Sequence, residues 1–290
     1  MEKKCCFIIL HYQTTEETLE CIRSVKSMNH QGDIGIIVID NASPNGSGKI
    51  LQSQFENDEQ IVVICNEHNE GFSRGNNIGC KIARDMWNPS FYVITNNDTV
   101  FIQKNLLELI EQEYQNSRFA ILGPDIIRVR DNLHQSPIDR EPPDFLRVWR
   151  TIIMNFLIYI MYPMSCVIVK RYAEKADRSN ASGYDRYQRN VCLMGACMIF
   201  SKAFVKKKNC IFDPETQFYY EEYILSLYCR ENNELTVYNP NIHVLHEEGK
   251  ATEIISSLEN EKIKFRVKNI LESAKIYKKY LLKCKREKSR

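Results

Sequence analysis

Residues 91–101 read FYVITNNDTVF. The apolar run Phe91-Tyr92-Val93-Ile94 stops abruptly at Asn96-Asn97-Asp98-Thr99. A buried strand looks like this when it delivers polar groups to the carboxyl edge of a sheet, where open α/β folds hold their ligands. A single carboxylate among amides at a strand end suits a hard divalent cation that already holds diphosphate oxygens. The same residues also read as an Asn-Asn-Asp turn capping a helix that starts near Leu106.

Upstream, Cys5 to Leu10, Ile34 to Ile39 and Ile61 to Cys65 are apolar runs of strand length. Helical spacing from Glu16 to Met28 and a helix near Lys49 to Phe55 separate them. Strand and helix alternating at this interval predict βαβ units and a mainly parallel sheet flanked by helices. The second strand ends in the turn cluster Asp40-Asn41-Ala42-Ser43-Pro44-Asn45-Gly46. The loop from Asn66 to Gly79 opens a helix running to about Trp87. Its glycines are four apart, so it is not a dinucleotide fingerprint, yet a helix amino terminus with Arg74 and free backbone donors is an anion site in waiting.

Downstream, Phe119 to Pro124 leads into Ile126-Ile127, and residues 128–143 read as a mobile polar loop. Val191 to Phe200 returns to a strand pattern, with small Gly195 and Ala196 marking a close approach. Glu221-Glu222 stands at the start of a helix ending near Arg230. Leu235 to Tyr238 and Ile242 to Leu245 read as two strands parted by a turn at Asn239-Pro240, the second delivering His246. A long amphipathic helix, Ser256 to about Leu282, follows.

The 290 residues carry a net charge of +2, which gives no sign of a nucleic-acid partner. Eleven cysteines without a CxxC pair argue against a disulfide framework or a zinc site and suit a reducing cytosol. The start MEKKCCFIILHYQ reads as a first strand rather than a signal peptide. The segment Phe145 to Val169 is about as apolar as a membrane span, flanked by Arg147, Arg150, Lys170 and Arg171 and broken at Asn155 and Pro163. It reads as a core helix, as a span, or as a helix lying in the cytoplasmic leaflet.

Taken together, FIILHYQ at 7–13, VIDNASPNGS at 38–47, NEHNEGFSRGNNIG at 66–79, TNNDT at 95–99, GACMIFSK at 195–202, FYYEEYILSLYCR at 218–230 and HVLHEEG at 243–249 resemble the family 2 glycosyltransferases, particularly their rhamnosyltransferase-like branch of bacterial polysaccharide synthesis. The resemblance covers most of residues 5–250. It implies a GT-A fold and inverting transfer of a sugar from a nucleotide-sugar, with divalent Mn or Mg. It also implies a layout of nucleotide-sugar-binding half (1–127), loop and apolar membrane-proximal insertion (128–190), acceptor and catalytic half (191–250) and carboxyl-terminal helix with basic tail (251–290).

By position, the resemblance makes Asp40 the reader of a pyrimidine base, with Asn41 and Ser43 beside it and His11 on the preceding strand end. Asn69, Gly71, Arg74, Asn76 and Asn97 fall to donor binding. Asp98 matches the last acid of the family's DXD motif, whose first acid is Asn96 here, and His246 completes the metal or diphosphate site. Glu221-Glu222 stands where the family has Glu-Asp, which makes Glu222 the base that takes the acceptor hydroxyl's proton and Glu221 its orienting neighbour. Ile224 departs from relatives that carry a second Asp.

The expectation is therefore a glycosyltransferase using a UDP or dTDP sugar and a saccharide or lipid-linked acceptor, peripheral on the inner face of a bacterial membrane. Two other classes stay open: a binding or scaffold protein with a decayed site, and a nucleotidyltransferase.

Overall fold

The structure, a computed structural model, describes residues 3–29, 31–161, 180–208, 210–247 and 259–288. Among these residues the chain runs β1 (Cys5–His11), α1 (Thr15–Lys26), β2 (Ile34–Asp40), α2 (Ser47–Gln54), β3 (Ile61–Cys65), α3 (Gly71–Met86), β4 (Phe91–Asn96), β5 (Thr99–Phe101), α4 (Leu106–Ser117), β6 (Ile121–Arg128), β7 (Leu133–His134), α5 (Phe145–Ile160), β8 (Gln188–Arg189), β9 (Cys197–Ser201), α6 (Lys202–Lys207), α7 (Glu221–Glu231), β10 (Thr236–His246) and α8 (Glu259–Lys288).

One sheet joins these strands in the order β3-β2-β1-β4-β9-β6-β10-β5, with β7 on β6 and β8 on β10. The first four are parallel in register, Cys5 lying between Ile34 and Phe91. Both faces are covered, as the continuous apolar runs require. Cys5, Phe7 and Ile9 face α1, α2 and α4, whereas Cys6 and Ile8 face α3, α6 and α7. The ten cysteines among the described residues are free thiols.

Strand β9 runs against its neighbours β4 and β6. Its start therefore meets the carboxyl end of β4, where Asn96 N–H donates to Ala196 O at 2.9 Å. This antiparallel insertion brings the Gly195-Ala196 loop to the same edge as Asn96-Asn97-Asp98.

Several expectations change. Residues 235–245 are not two strands with a turn but one strand, β10, with a register shift between Asn239 and His243. Pro240 removes one donor, and a bulge accommodates that loss without ending the ladder. The strand expected over 191–200 begins only at Cys197, apart from a bridge between Cys192 and Asp139. The 128–143 stretch is tied down at several points: Gln135 N–H donates to Ile126 O, and Ile138 N–H donates to Cys192 O.

Helix α5 packs Val148 and Ile152 against Ile224 and Leu227 of α7 and Leu271, Ala274 and Tyr277 of α8. Its other face, with Ile153, Met154, Phe156 and Ile160, is exposed. Among the described residues no helix is long and apolar enough to cross a membrane. Residues 162–169 of the expected apolar segment, Pro163 included, lie outside the described residues, as do 256–258 of the last helix.

Candidate active site

The carboxyl edge gathers the ends of β1, β2, β3 and β4, the loop before β9 and the start of α7. Asp40 closes β2 and is 4% exposed. Its carboxylate accepts from Ser43 N–H at 3.2 Å and from Ser43 Oγ at 2.5 Å, an Asx-type turn that fixes the acid's direction. Gly48 is required beside it, because a Cβ there would stand 2.1 Å from Asp40 Oδ2. This lets the amino end of α2 approach the carboxylate, a favourable placement for a negative charge.

Asn41 fastens β2 to the loop that opens α3. Its amide donates to Asn69 Oδ1 and Gly71 O, both at 3.1 Å, and accepts from Glu70 N–H at 2.9 Å. Arg74 is exposed and paired with Glu70 at 2.9 Å and Glu215 at 3.1 Å. Asn76 is buried; its Nδ2 donates to Phe72 O, while its Oδ1 finds no donor.

Two expected binding residues are turned into the protein instead. His11 is fully buried, with Nδ1 2.7 Å from Thr18 Oγ1 and Nε2 2.8 Å from Ser47 Oγ. Thr18 Oγ1 already donates to Thr14 O, so it accepts from His11 Nδ1–H, and Nε2 accepts from Ser47. Burial pushes this imidazole down to about 4, so it is neutral and structural. Asn97 donates to Thr14 Oγ1 at 2.5 Å and Thr18 Oγ1 at 2.9 Å, bracing the β4–β5 turn against α1. Both ring nitrogens of His11 and the amide nitrogen of Asn97 are thus taken by tertiary partners.

Asp98 and His246 do come together. Strand β5 pairs antiparallel with the end of β10, opposing Thr99 to His246. His246 Nε2 stands 3.2 Å from Asp98 Oδ1. Both residues are buried, and no donor reaches Asp98 Oδ1 in hydrogen-bond geometry. His246 Nδ1 lies 2.8 Å from Gln135 Oε1, which accepts from it. Nε2 is thereby left as a lone pair facing an orphaned carboxylate oxygen. Two buried acceptors this close fit a divalent cation between or beside them. Among the described residues no third His, Cys, Asp or Glu joins them. Such an ion would complete its shell with water and diphosphate oxygens, as magnesium-type sites do.

Glu221 and Glu222 open α7 after two residues with left-handed backbone, Tyr219 (φ 67°) and Tyr220 (φ 72°). Non-glycine residues there store strain, and the packing of Tyr220 against Tyr223 and Tyr277 holds them in place. The two acids part company at once. Glu221 is 7% exposed and accepts from Thr216 Oγ1 at 3.1 Å; Thr216 is tied in turn to Ser73 of α3. Glu222 is half-buried, and its carboxylate lies against Gly195, where a Cβ would come within 2.6 Å of Oε1. Burial raises both carboxyls above the ordinary 4.5, and the charge of Glu222 raises Glu221 further.

A stability consequence follows for Glu221. Its folded form resists ionisation, so stability is highest below the unfolded value of 4.5 and declines as pH rises through the folded value. Glu221→Gln keeps an acceptor for Thr216 and removes the penalty. We expect it to raise Tm at pH 8 and to change little at pH 4; an equal Tm change at both values would refute the assignment.

Motif reading missed Gln135, Thr216 and Ser73. Gln135 sits in a stretch without periodicity, and the other two carry no chemistry of their own. Gly195 had a visible signal, a small residue inside an apolar run.

Residues 6–170 match the family described as Glycosyl transferase family 2. Glycosyltransferase GlyG of Streptococcus pneumoniae serotype 4 is 25% identical over 104 residues, which is 36% of this chain and 33% of that protein. The match thus spans about a third of that relative. The crystal structure of S. aureus TarS 1-349 superposes with a TM-score of 0.53 at 14% identity, covering 93% of this chain and 70% of that one. GalNAc-T7, solved with UDP, GalNAc and Mn2+, gives 0.58 at 14% identity, covering 84% and 44%. At these identities the two structures speak for the fold, which is of the GT-A type.

Proposed function

The chain belongs to glycosyl transferase family 2, and from that premise we propose an inverting, metal-dependent glycosyltransferase that uses a UDP or dTDP sugar and a saccharide or lipid-linked acceptor in cell-surface polysaccharide synthesis. The observation that carries the metal-dependent part is the orphaned Asp98 Oδ1 facing His246 Nε2 at 3.2 Å.

In this reading Asp40 meets the base N–H and Asn41 holds the loop from Asn66 to Gly71 in place. Arg74 leaves Glu70 and Glu215 for the donor's phosphates, drawn by the stronger charge and bidentate geometry of that partner. Asp98 and His246 hold a Mn or Mg ion, which when bound neutralises charge on the leaving diphosphate. Glu222 takes the acceptor hydroxyl's proton as that oxygen attacks the anomeric carbon; the sugar–diphosphate bond breaks on the opposite side, which inverts the centre. Glu221, tied to Thr216, holds the helix start on which Glu222 sits.

Thermal stabilisation by UDP, dTDP, GDP and ADP, with and without Mn or Mg, tests the site. At roughly a hundredfold excess over Kd, a pyrimidine diphosphate with metal should raise Tm by about 5 °C or more. No shift with any nucleotide would leave a decayed site, and release of pyrophosphate from a nucleoside triphosphate would indicate nucleotidyl transfer.

We place the enzyme peripherally on the inner membrane face. Support comes from the exposed apolar face of α5 beside the basic α8, whose Lys278 Nζ lies 4.1 Å from the Trp149 ring. Anionic vesicles should sediment the full chain, and Ile153→Glu with Phe156→Glu should release it; binding unchanged by that pair would discard the assignment.

A further inference from the structure

The residue that holds His246 lies outside every motif in the sequence. We infer that Gln135 is a positioning residue, whose amide oxygen keeps His246 in the Nδ1–H tautomer so that Nε2 offers its lone pair beside Asp98. The inference rests on the metal reading of Asp98 and His246.

A neutral imidazole carries one proton, and its placement decides what the ring can do. With the proton on Nδ1 it is donated to Gln135 Oε1 at 2.8 Å, and Nε2 is free to ligate. With the proton on Nε2 the ring would present a hydrogen instead of a lone pair 3.2 Å from Asp98 Oδ1, and no imidazole nitrogen would face a cation. The 3.2 Å approach is not itself a hydrogen bond, so Asp98 Oδ1 remains open to another partner. A glutamine achieves this without adding a negative charge beside the site.

The support is stiff enough for the task. Gln135 N–H donates to Ile126 O at 2.8 Å, fixing its backbone to β6. The preceding residue, His134, is anchored by its Nδ1 at 2.8 Å from Oδ2 of buried Asp125 and by stacking on Tyr184 at 3.9 Å between centroids. His243, three residues before His246 on β10, lies near the same carboxylate, its Nδ1 3.5 Å away without a hydrogen bond. β7 is thus clamped on the side away from Asp98, and Gln135 projects from a fixed base.

The test uses the full chain labelled with 15N-histidine, with His246 assigned by its loss in His246→Gln. Without metal, at a pH where histidine is neutral, the wild type should show a protonated Nδ1 and a bare Nε2. Gln135→Leu should move the proton to Nε2. It should also weaken Mn2+ binding, followed with UDP present by water-proton relaxation, by about 10- to 100-fold. Gln135→Glu, which keeps an acceptor, should retain the Nδ1–H tautomer and bind Mn2+ within a few-fold of wild type.

A wild-type ring protonated on Nε2 overturns the inference, and so does a Gln135→Leu variant with unchanged tautomer and Mn2+ affinity. Gln135→Glu falling as far as Gln135→Leu also overturns it, since bulk rather than acceptance would then matter. A wild type that binds no Mn2+, yet changes tautomer in Gln135→Leu, upholds the role of Gln135 and rejects the metal reading instead. If Gln135→Leu does not fold, the wild-type spectrum and Gln135→Glu still decide.

Discussion

Glu222→Gln is expected to lower kcat by about 10²- to 10⁴-fold, the range that a positioned general base contributes, while nucleotide affinity stays near wild type. The amide keeps the shape of the side chain but cannot accept the hydroxyl proton. Because burial raises the Glu222 carboxyl, the wild-type rate should climb with pH through a midpoint above 4.5 as the base ionises, and that limb should vanish from the residual activity of the variant. Gly195→Ala tests the same group from the other side. The new methyl would stand within 2.6 Å of Glu222 Oε1, and that flexible carboxylate can swing away while the fold survives. Turnover should fall with little change in donor affinity. Retention of wild-type turnover in Glu222→Gln would remove it as base.

Asp98→Ala should weaken metal-dependent nucleotide binding by at least about 100-fold, because a group that touches an ion matters no less than the outer groups that orient it. Asp98→Asn separates charge from shape: it should fail nearly as badly, since the amide oxygen carries no net charge. Metal-free nucleotide binding, which in the proposed site would lean on Asp40 and the α3 loop, should change little in both. The decisive readout is the Mn2+ dependence of UDP affinity; if it is the same in Asp98→Ala as in wild type, the ion is held elsewhere.

Much of this edge is legible in the chain because β1 to β4 are continuous apolar runs that end in polar clusters. A strand buried on both faces has no other way to be written. The same logic singled out Asp98, Glu222 and His246, each at the end or start of a strong periodic element, and the fold sets Asp98 beside His246. It failed where a polar residue serves the protein rather than a ligand. His11 looks like a binding residue, and only the arrival of Thr18 and Ser47 shows its ring to be an internal brace; the amide nitrogen of Asn97 is likewise taken by Thr14 and Thr18. It failed again at Asn239-Pro240, where pairing with β6 carries the strand past a residue that locally breaks it. Gln135 was invisible because its role depends wholly on which histidine the sheet sets beside it.

The reversed strand β9 has one more consequence. Asp98 lies two residues beyond Asn96, which is hydrogen-bonded to Ala196, itself the neighbour of the Gly195 on which Glu222 rests. The group that would grip the departing diphosphate and the group that would receive the incoming nucleophile's proton thus hang from a single rung of the sheet. Their backbone supports are joined through this rung, so a shift of one strand end is felt at both groups. Changes to the exposed face of α5 leave that rung intact. Damage to the β4–β9 rung, by contrast, should spoil donor grip and turnover in the same stroke.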